Sequence, residues 1–549
     1  MLFNSYEFIF LFLPISVALF YGLNRLGNKR WPIVWLVAAS LFFYAWWNPP
    51  YLILLLLSIA INYGLSVALN RAFVAEQERK GKLILWVGVL FNLGLIGYYK
   101  YFDFFLGNVN QAVGTSLPLQ NIILPLGISF YTFQQIAYLV DSFEGETQGE
   151  RFLDYCLFVS FFPQLIAGPI VNHQEMLPQF SKRSTFLFKH EDLSVGLTIF
   201  FIGLFKKVIF ADQISLYASP IFSAAEQGIP LTFSEAWIGA LAYSLQIYFD
   251  FSGYSDMAIG AARMFGIKLP LNFNSPYKAF NIIDFWARWH MTLTRFLTRY
   301  LYNPIALFMS RRRLQQGKAL IKRGVGSPAA FAELVAVPTL VTMLLAGIWH
   351  GAGWQYMIFG LLNGSYLTLN HGWHMLQKKF GRNLKQVSWY EQRLGQLVTL
   401  VAWIASLVFF RAVNAGAGIS MLSSMFGFRG ISVPPSLEGK LSVLKAFGFR
   451  FDGMFHNALL EQAAVGLGLI LLLFIVALFF PNTQQWMAHY EPGLGYDHRA
   501  ALAQRPKWLI WLDRFEWHPT HSWALFTVSL MVISVLNLSN VSEFIYFQF

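Results

Sequence analysis

Apolar runs close to 20 residues long recur along most of this chain, the first from about residue 6 to residue 24. That is the length an α-helix needs to cross about 30 Å of hydrocarbon. Lipid offers no partner for backbone N–H and C=O groups, so each run must close its own hydrogen bonds, and a series of runs specifies a helical bundle. A transmembrane β-barrel would show shorter segments alternating apolar and polar positions, and that pattern is missing here. Composition agrees, with 56% hydrophobic and 12% charged residues, against roughly 25% charged in an ordinary soluble domain. The expected fold is one all-α, polytopic membrane domain over residues 1–549 with about 11–13 helices. The spans fall at about 6–24, 32–47, 51–70, 83–99, 120–140, 153–170, 194–212, 233–249, 334–349, 354–372, 396–413, 462–480 and 521–538.

The net charge of +12 sits mainly in short loops between these runs, so it reports orientation and does not imply nucleic acid. Arg25, Lys29 and Arg30 follow the first run and Arg71, Arg79, Lys80 and Lys82 the third, while Trp47 to Pro50 carries no charge. These basic loops are expected in the cytoplasm and the amino terminus outside. The first run lacks a preceding basic residue and a small-residue cleavage site, so it reads as a retained span. The one cysteine, Cys156, excludes an internal disulfide framework and reads as packing.

Several stretches depart from a simple span. Phe161 to Val171 (FFPQLIAGPIV) carries Pro163 and Pro169, which break helix regularity, so a re-entrant segment is expected. Asn281 to Tyr302 (NIIDFWARWHMTLTRFLTRYLY) interleaves aromatic and aliphatic residues with Arg288, Arg295 and Arg299, the pattern of an amphipathic helix lying at the headgroup level. Arg311 to Arg323 (RRRLQQGKALIKR) holds six basic and no acidic residues and reads as a cytoplasmic loop near anionic lipid, with binding of donor phosphates as the sharper alternative. Long loops are expected at about 427–457 and 481–519, the second facing solvent.

An ionisable side chain inside a membrane bundle is a functional candidate by default. His350 directly follows the run Leu334 to Trp349, within Leu344 to Trp354 (LLAGIWHGAGW), where Gly347, Gly351 and Gly353 permit close approach of backbone or substrate and Trp349 and Trp354 are placed to wall an apolar pocket. A neutral imidazole there can take a proton from an attacking hydroxyl, typically worth about 100-fold to 10,000-fold in rate; a histidine bonded at a helix end fits the same pattern. His290, in Trp286 to His290 (WARWH), can point inward from the interface or serve structure. Asp250 and Asp256 (YFDFSGYSD) can orient an imidazole or cap a broken helix, and they share no helix face unless Gly253 breaks the helix. Asn363 joins Trp349, Trp354 and the two aspartates as a supporting or substrate-lining candidate. The pairs His371/His374 and His518/His521 lack a nearby carboxylate or cysteine to complete a metal site, so no metal is expected.

These motifs together resemble the membrane-bound O-acyltransferase family, in particular its bacterial glycan-modifying branch. The blocks are Met1 to Leu13 (MLFNSYEFIFLFL), Leu124 to Phe133 (LPLGISFYTF), Phe162 to Pro169, Tyr248 to Gly260 (YFDFSGYSDMAIG), Phe285 to Leu301, Leu344 to Gly353, Phe409 to Ala412 (FFRA) and Phe544 to Phe549 (FIYFQF). The resemblance implies a helical bundle with re-entrant or interfacial helices around a central tunnel. It puts the histidine of the WHG motif, here His350, at the catalytic centre, and the histidine of an FWRRWH-like motif, here His290, in a supporting role near the cytoplasmic donor entrance. Ala287 stands in place of that motif's first arginine, and Thr298 and Arg299 (LTRYLY) stand where such proteins usually carry Arg-Asp.

The function expected from the resemblance is transfer of an acyl group, acetyl first of all, from a cytosolic thioester towards hydroxyls of an exported polysaccharide. The donor would be acetyl-CoA or an acyl carrier and acts as a substrate, with no bound cofactor. Transfer would be direct or through an extracytoplasmic acetyltransferase or polysaccharide-synthesis partner, in a bacterial inner membrane. A transporter or flippase for a glycan or lipid is the reading of another class, because intramembrane His and Asp occur there too, and a protein or lipid acceptor is a third.

Overall fold

A computed structural model of the chain describes residues 1–28, 30–147, 149–322, 324–384, 386–455, 463–495, 516–538 and 544–545. The protein is mostly helical, 74%, and is a multi-pass membrane protein. Among the described residues five helical segments are long and apolar enough to cross a bilayer: Pro49–Val74, Glu78–Val113, His190–Glu226, Pro328–His350 and Trp389–Arg411. Phe8–Asn24, Arg30–Ala45, Ala463–Phe479 and His521–Leu536 are shorter apolar helices. Residue 462, where one expected span begins, Arg323 of the basic run and residues 546–549 of the closing block lie outside the described residues.

The chain divides into two compact units. The first comprises Met1–Val208, Phe251–Asn272 and Pro481–Gln548. In it the helix His190–Phe205 meets residues 251–263 at two glycine pairs. A Cβ on Gly203 would lie 2.5 Å from the Gly253 carbonyl oxygen, and one on Gly196 would lie 2.7 Å from that of Gly260. Only hydrogen at these four α-carbons lets the two backbones touch, the small-residue packing that joins helices in lipid.

The same unit contains the expected break at Phe161. A helix, Phe152–Ser160, is followed by the single turn Phe162–Leu165, and residues 155–171 are all buried. The Phe162 N–H donates to Ser40 Oγ at 3.1 Å, while the Phe158 carbonyl it would have met in a continuous helix accepts the side-chain amides of Gln134 and Gln164. Side chains thus replace the backbone hydrogen bond lost at the break. The run expected at 120–140 is also not one span. Its helix, Ile128–Phe143, starts only after Gly127, whose φ of +70° turns the chain.

Nor does the connection from residue 481 face solvent as expected. Asn482, Thr483 and Gln484 are buried, the first capping the short helix Thr483–Trp486 and the other two satisfying a buried carboxylate described below; residues 496–515 of that connection lie outside the described residues.

The second unit comprises Ile209–Asp250 and Phe273–Phe480. Its central pair is Val337–His350 and Trp354–Lys379, joined by a short turn. Gly360 and Gly364 form a small-xxx-small stripe facing Met343 and Gly347, and a Cβ on Gly347 would sit 2.3 Å from the Tyr356 carbonyl oxygen. The region expected as a loop at 427–457 holds short helical turns and a two-residue parallel pair, Ile431–Ser432 with Phe449–Arg450. The basic run begins as helix, since Asn303–Gln315 extends through Arg311 to Arg313. Arg313 is buried and pairs with Glu333 at 2.9 Å, leaving Arg311 and Arg312 exposed.

Candidate active site

His350 is the last residue of its helix and is 6% exposed. Three rings surround it: Trp349 with centroids 4.9 Å away, Phe410 at 5.0 Å and Phe359 at 5.9 Å. Phe359 comes from the next helix and Phe410 from the end of Trp389–Arg411, so tight packing of three helices positions the imidazole. Gly347 is what allows the first two helices to close, and Gly351 leaves room for the Tyr356 ring, which would meet a Cβ there at 2.1 Å. The glycines of the motif are therefore filled by protein. Trp349 is buried beside His350, whereas Trp354 is 55% exposed on the first turn of the following helix and does not close the pocket expected of the two tryptophans.

The stretch around His290 is not one continuous amphipathic helix. Ile282–Trp286 ends early, because the Thr294 hydroxyl donates to the Trp286 carbonyl at 3.1 Å and the Arg288 carbonyl accepts the Asn274 N–H at 2.9 Å. A second helix, Met291–Leu297, then starts from His290, whose φ is +44°. A non-glycine residue in the left-handed region costs on the order of 1–3 kcal/mol and persists only where its surroundings impose it. His290 is 1% exposed, and burial pushes its imidazole down from the ordinary value to about 3, so it is neutral at physiological pH. Trp403 packs against Trp289 at 4.8 Å and against Phe359 at 6.1 Å. An aromatic layer thus runs from the segment carrying His290 to the collar of His350.

Neither Asp250 nor Asp256 stands at a helix end. The helix Phe233–Arg263 passes unbroken through Gly253, and both carboxylates are buried at mid-helix, about a third of a turn apart around its axis. Asp256, in the first unit, accepts from Lys206 Nζ at 2.6 Å, Thr483 Oγ1 at 2.6 Å and Gln484 Nε2 at 2.9 Å. Asp250 belongs to the second unit, within electrostatic range of Tyr243. Asn363 is fully buried one turn beyond Phe359, to whose carbonyl its amide donates at 3.0 Å, and its own side-chain oxygen accepts no hydrogen bond among the described residues.

Sequence reasoning passed over His173. It is buried against Asp141 at 3.1 Å, and its other ring nitrogen faces the Glu146 carbonyl at 3.4 Å. With both nitrogens engaged it holds loop to helix. Phe359, Phe410 and Trp403 were missed as parts of the site. Of these only Phe410 carried a signal, through the FFRA block.

A buried histidine at a helix end, ringed by aromatics inside a membrane protein, can be compared with known proteins. Residues 142–321 match the model of the MBOAT, membrane-bound O-acyltransferase family. Across 100% of both chains the protein is 33% identical to the probable alginate O-acetylase AlgI of Pseudomonas aeruginosa. The chain belongs to the membrane-bound O-acyltransferase family. Among other members it is 41% identical to the peptidoglycan O-acetyltransferase of Helicobacter pylori, over 79% of this chain and 81% of that protein. With the teichoic acid D-alanyltransferase of Bacillus subtilis it shares 28% identity over 48% of this chain and 63% of that one. As a family member with O-acetyltransferases among its relatives, the chain is an enzyme, an O-acyltransferase, which removes the transporter reading. His290, Asp250 and Asp256 fall within the segment matched by the family model, and His350 lies beyond it.

Proposed function

We propose that this O-acyltransferase moves acetyl from a cytosolic thioester, acetyl-CoA in the first place, towards hydroxyls of an exported or cell-surface polysaccharide. The observation that carries this reading is His350, a buried imidazole at a helix end with Trp349, Phe359 and Phe410 around it. Rings on three sides exclude water, so a thioester brought there meets a base and little competing solvent. The acceptor hydroxyl gives its proton to the imidazole as its oxygen attacks the thioester carbonyl; the C–S bond then breaks, and the imidazolium returns the proton to the leaving thiolate. In the covalent variant His350 itself takes the acetyl group before the hydroxyl does.

The bundle of about 11–13 helices with re-entrant or interfacial segments would enclose a tunnel in which donor and acceptor reach His350 from opposite faces. A cavity of about 830 Å³ supports donor entrance near the broken amphipathic segment. It is lined by Asn281, Asp284, Tyr366, Trp373, His374 and Arg382, and its size falls among small-molecule sites. His290, neutral and held in a strained turn, supports the site from that segment; Asp250, Asn363 and Trp349 form its surroundings. Basic residues at Arg25 to Arg30 and Arg71 to Lys82 support a cytoplasmic position for those loops and an extracytoplasmic amino terminus in a bacterial inner membrane. Delivery to the polymer would be direct or through an extracytoplasmic acetyltransferase or polysaccharide-synthesis partner.

The relatives named for alginate and peptidoglycan support a glycan acceptor over a protein or lipid. Mass spectrometry of surface polysaccharides from cells with and without the protein tests the proposal. Loss of an increment of one acetyl group is expected, and polymers acetylated to the same extent would refute it.

A further inference from the structure

A second cavity, of about 660 Å³, lies within the first unit and has no part in the proposed reaction. Lys182, Ser184, Lys189, Lys268 and Leu494 are among the residues lining it. Its frame is tied together by hydrogen bonds. Gln179 exchanges two with the Lys268 backbone, both at 2.9 Å, and the Thr185 hydroxyl donates to the Gln179 carbonyl at 2.7 Å. Gly266, at φ +70°, lets its turn press on the Thr185 carbonyl oxygen, which a Cβ there would meet at 2.9 Å. Two contacts set the depth of the cavity. The first apolar helix ends at Asn24, whose amide donates to the Phe186 carbonyl at 2.8 Å, and the Tyr21 hydroxyl donates to the Met264 carbonyl at 3.0 Å. The cavity therefore lies where a span leaves hydrocarbon, at the level of lipid headgroups.

Most of the carboxylates around it are already committed. Asp192 pairs with the buried Arg263 at 2.8 Å, Glu491 with Lys268 at 2.7 Å, and Glu175 accepts the Asn172 N–H at 3.1 Å in a capping box; Glu191 reaches Arg263 only at 3.8 Å. The cations are not used up in the same way. The Lys182 ammonium makes no ion pair or hydrogen bond among the described residues, Lys189 stands 4.0 Å from Asp192 with half of its side chain exposed, and Arg183 is exposed beside them. Between the two lysines the chain exposes Leu187 by 50% and Phe188 by 47%, the latter packed edge-on against Tyr21 at 5.2 Å. Unspent ammonium groups at a polar cavity, next to an exposed apolar pair, match the two halves of a phospholipid.

We propose that this cavity holds the phosphate of an anionic phospholipid, with Lys182 and Lys189 on the phosphate and Leu187 and Phe188 against an acyl chain. The lipid belongs to the leaflet at the Arg25 end of the first span, cytoplasmic in the orientation proposed above. A soluble phosphate compound would use the same lysines but gains nothing from an exposed leucine and phenylalanine, so lipid is preferred as the source. A headgroup seated here touches residues 182–189, the turn at Gly266 and Leu494 together, and so stabilises the packing of parts far apart in sequence.

The test uses the full chain purified in a neutral detergent. Native mass spectrometry and melting are the readouts, and phosphatidylglycerol, phosphatidylethanolamine and phosphatidylcholine are the probes. Wild-type protein should retain phosphatidylglycerol in preference to the other two and melt higher with it. Lys182→Gln with Lys189→Gln should weaken that binding roughly 30-fold, about 5-fold for each lysine. Both side chains are exposed, so melting without lipid should stay the same. Arg79→Gln with Lys80→Gln removes equal charge from another basic loop and should leave the binding unchanged. Equal affinity in wild type and the Lys182/Lys189 variant overturns the proposal. So does an equal loss in the Arg79/Lys80 variant, which would reduce the effect to general attraction by basic loops, and so does phosphatidylethanolamine or phosphatidylcholine bound as tightly as phosphatidylglycerol. A third variant, Leu187→Ser with Phe188→Ser, separates the sources of phosphate and should weaken the lipid alone. Lipid affinity unchanged in that variant, together with protection by coenzyme A or inorganic phosphate that the lysine variant loses, would assign the cavity to a soluble phosphate and overturn the lipid site.

Discussion

Replacing Gly347 with alanine tests whether close packing of two helices sets the position of His350. The added methyl would lie 2.3 Å from the Tyr356 carbonyl oxygen, 2.9 Å from Gly360 Cα and 3.0 Å from Gly360 N. All three obstacles are backbone, so no side chain can rotate away. Ordinary contact begins near 3.4 Å, and the pair must therefore open by about 1.1 Å, the difference between 3.4 and 2.3 Å. His350 follows three residues after Gly347, and Phe359 of its collar comes from the facing helix, so that opening falls directly on the proposed site. Overpacking of this kind costs about 1–3 kcal/mol of stability, and a 1 Å misplacement of a reacting group costs roughly 100-fold in rate. Gly347→Ala should accumulate in the membrane, melt a few degrees lower in detergent, and show acetyl turnover down about 100-fold. Thiol release from acetyl-CoA in the presence of acceptor, normalised to folded protein, measures it. Wild-type turnover with a lowered melting temperature would refute the link between this crossing and catalysis.

Three further expectations follow from single residues. His350→Ala should abolish transfer while insertion and expression stay intact, and wild-type acetylation by that variant would remove His350 as base or nucleophile. His290 makes stability pH-dependent. Its folded value of about 3 lies below the reference of about 6.5, so the unfolded chain gains a proton first as pH falls. The neutral folded form is favoured fully above about pH 6.5 and loses about 1.4 kcal/mol per pH unit down to the folded value. Melting from pH 7 to 5 should therefore be shallower in His290→Phe, and equal slopes would exclude a buried neutral imidazole. Asp256→Ala strands Lys206 in the interior and should destabilise by about 3–5 kcal/mol, while Lys206→Met with Asp256→Leu recovers part of that; a single variant as stable as wild type in detergent melts would show the cluster carries little.

Apolar run length made the bundle legible, because lipid imposes the same demand on every span irrespective of its neighbours. Pro163 and Pro169 announced the break after Ser160, although the partners that make it tolerable, Ser40 and Gln134, are remote in sequence. The break at His290 was hidden for a related reason: Trp286 to His290 has helical spacing, and what ends the helix is the Thr294 hydroxyl together with the Asn274 N–H. Asp256 looked like a cap because its partners Thr483 and Gln484 sit in a polar stretch that reads as a solvent loop. His350 stood out through its motif, but its collar was assembled from three helices, and nothing local in the FFRA block says that Phe410 turns to the histidine and leaves Arg411 beside it.

The hydrogen bond between Thr483 and Asp256 spans 227 residues. At a synthesis rate of about 5–20 residues per second, the ribosome needs roughly 11 to 45 s to travel that distance. During this interval Lys206, made earlier, is the one member of the trio of donors already available to Asp256. The pair therefore waits in the membrane for the closing part of the chain to supply its hydroxyl and amide. A nascent protein stalled before Pro481 would present a half-finished polar cluster, which gives membrane quality control a place to distinguish unfinished chains from complete ones.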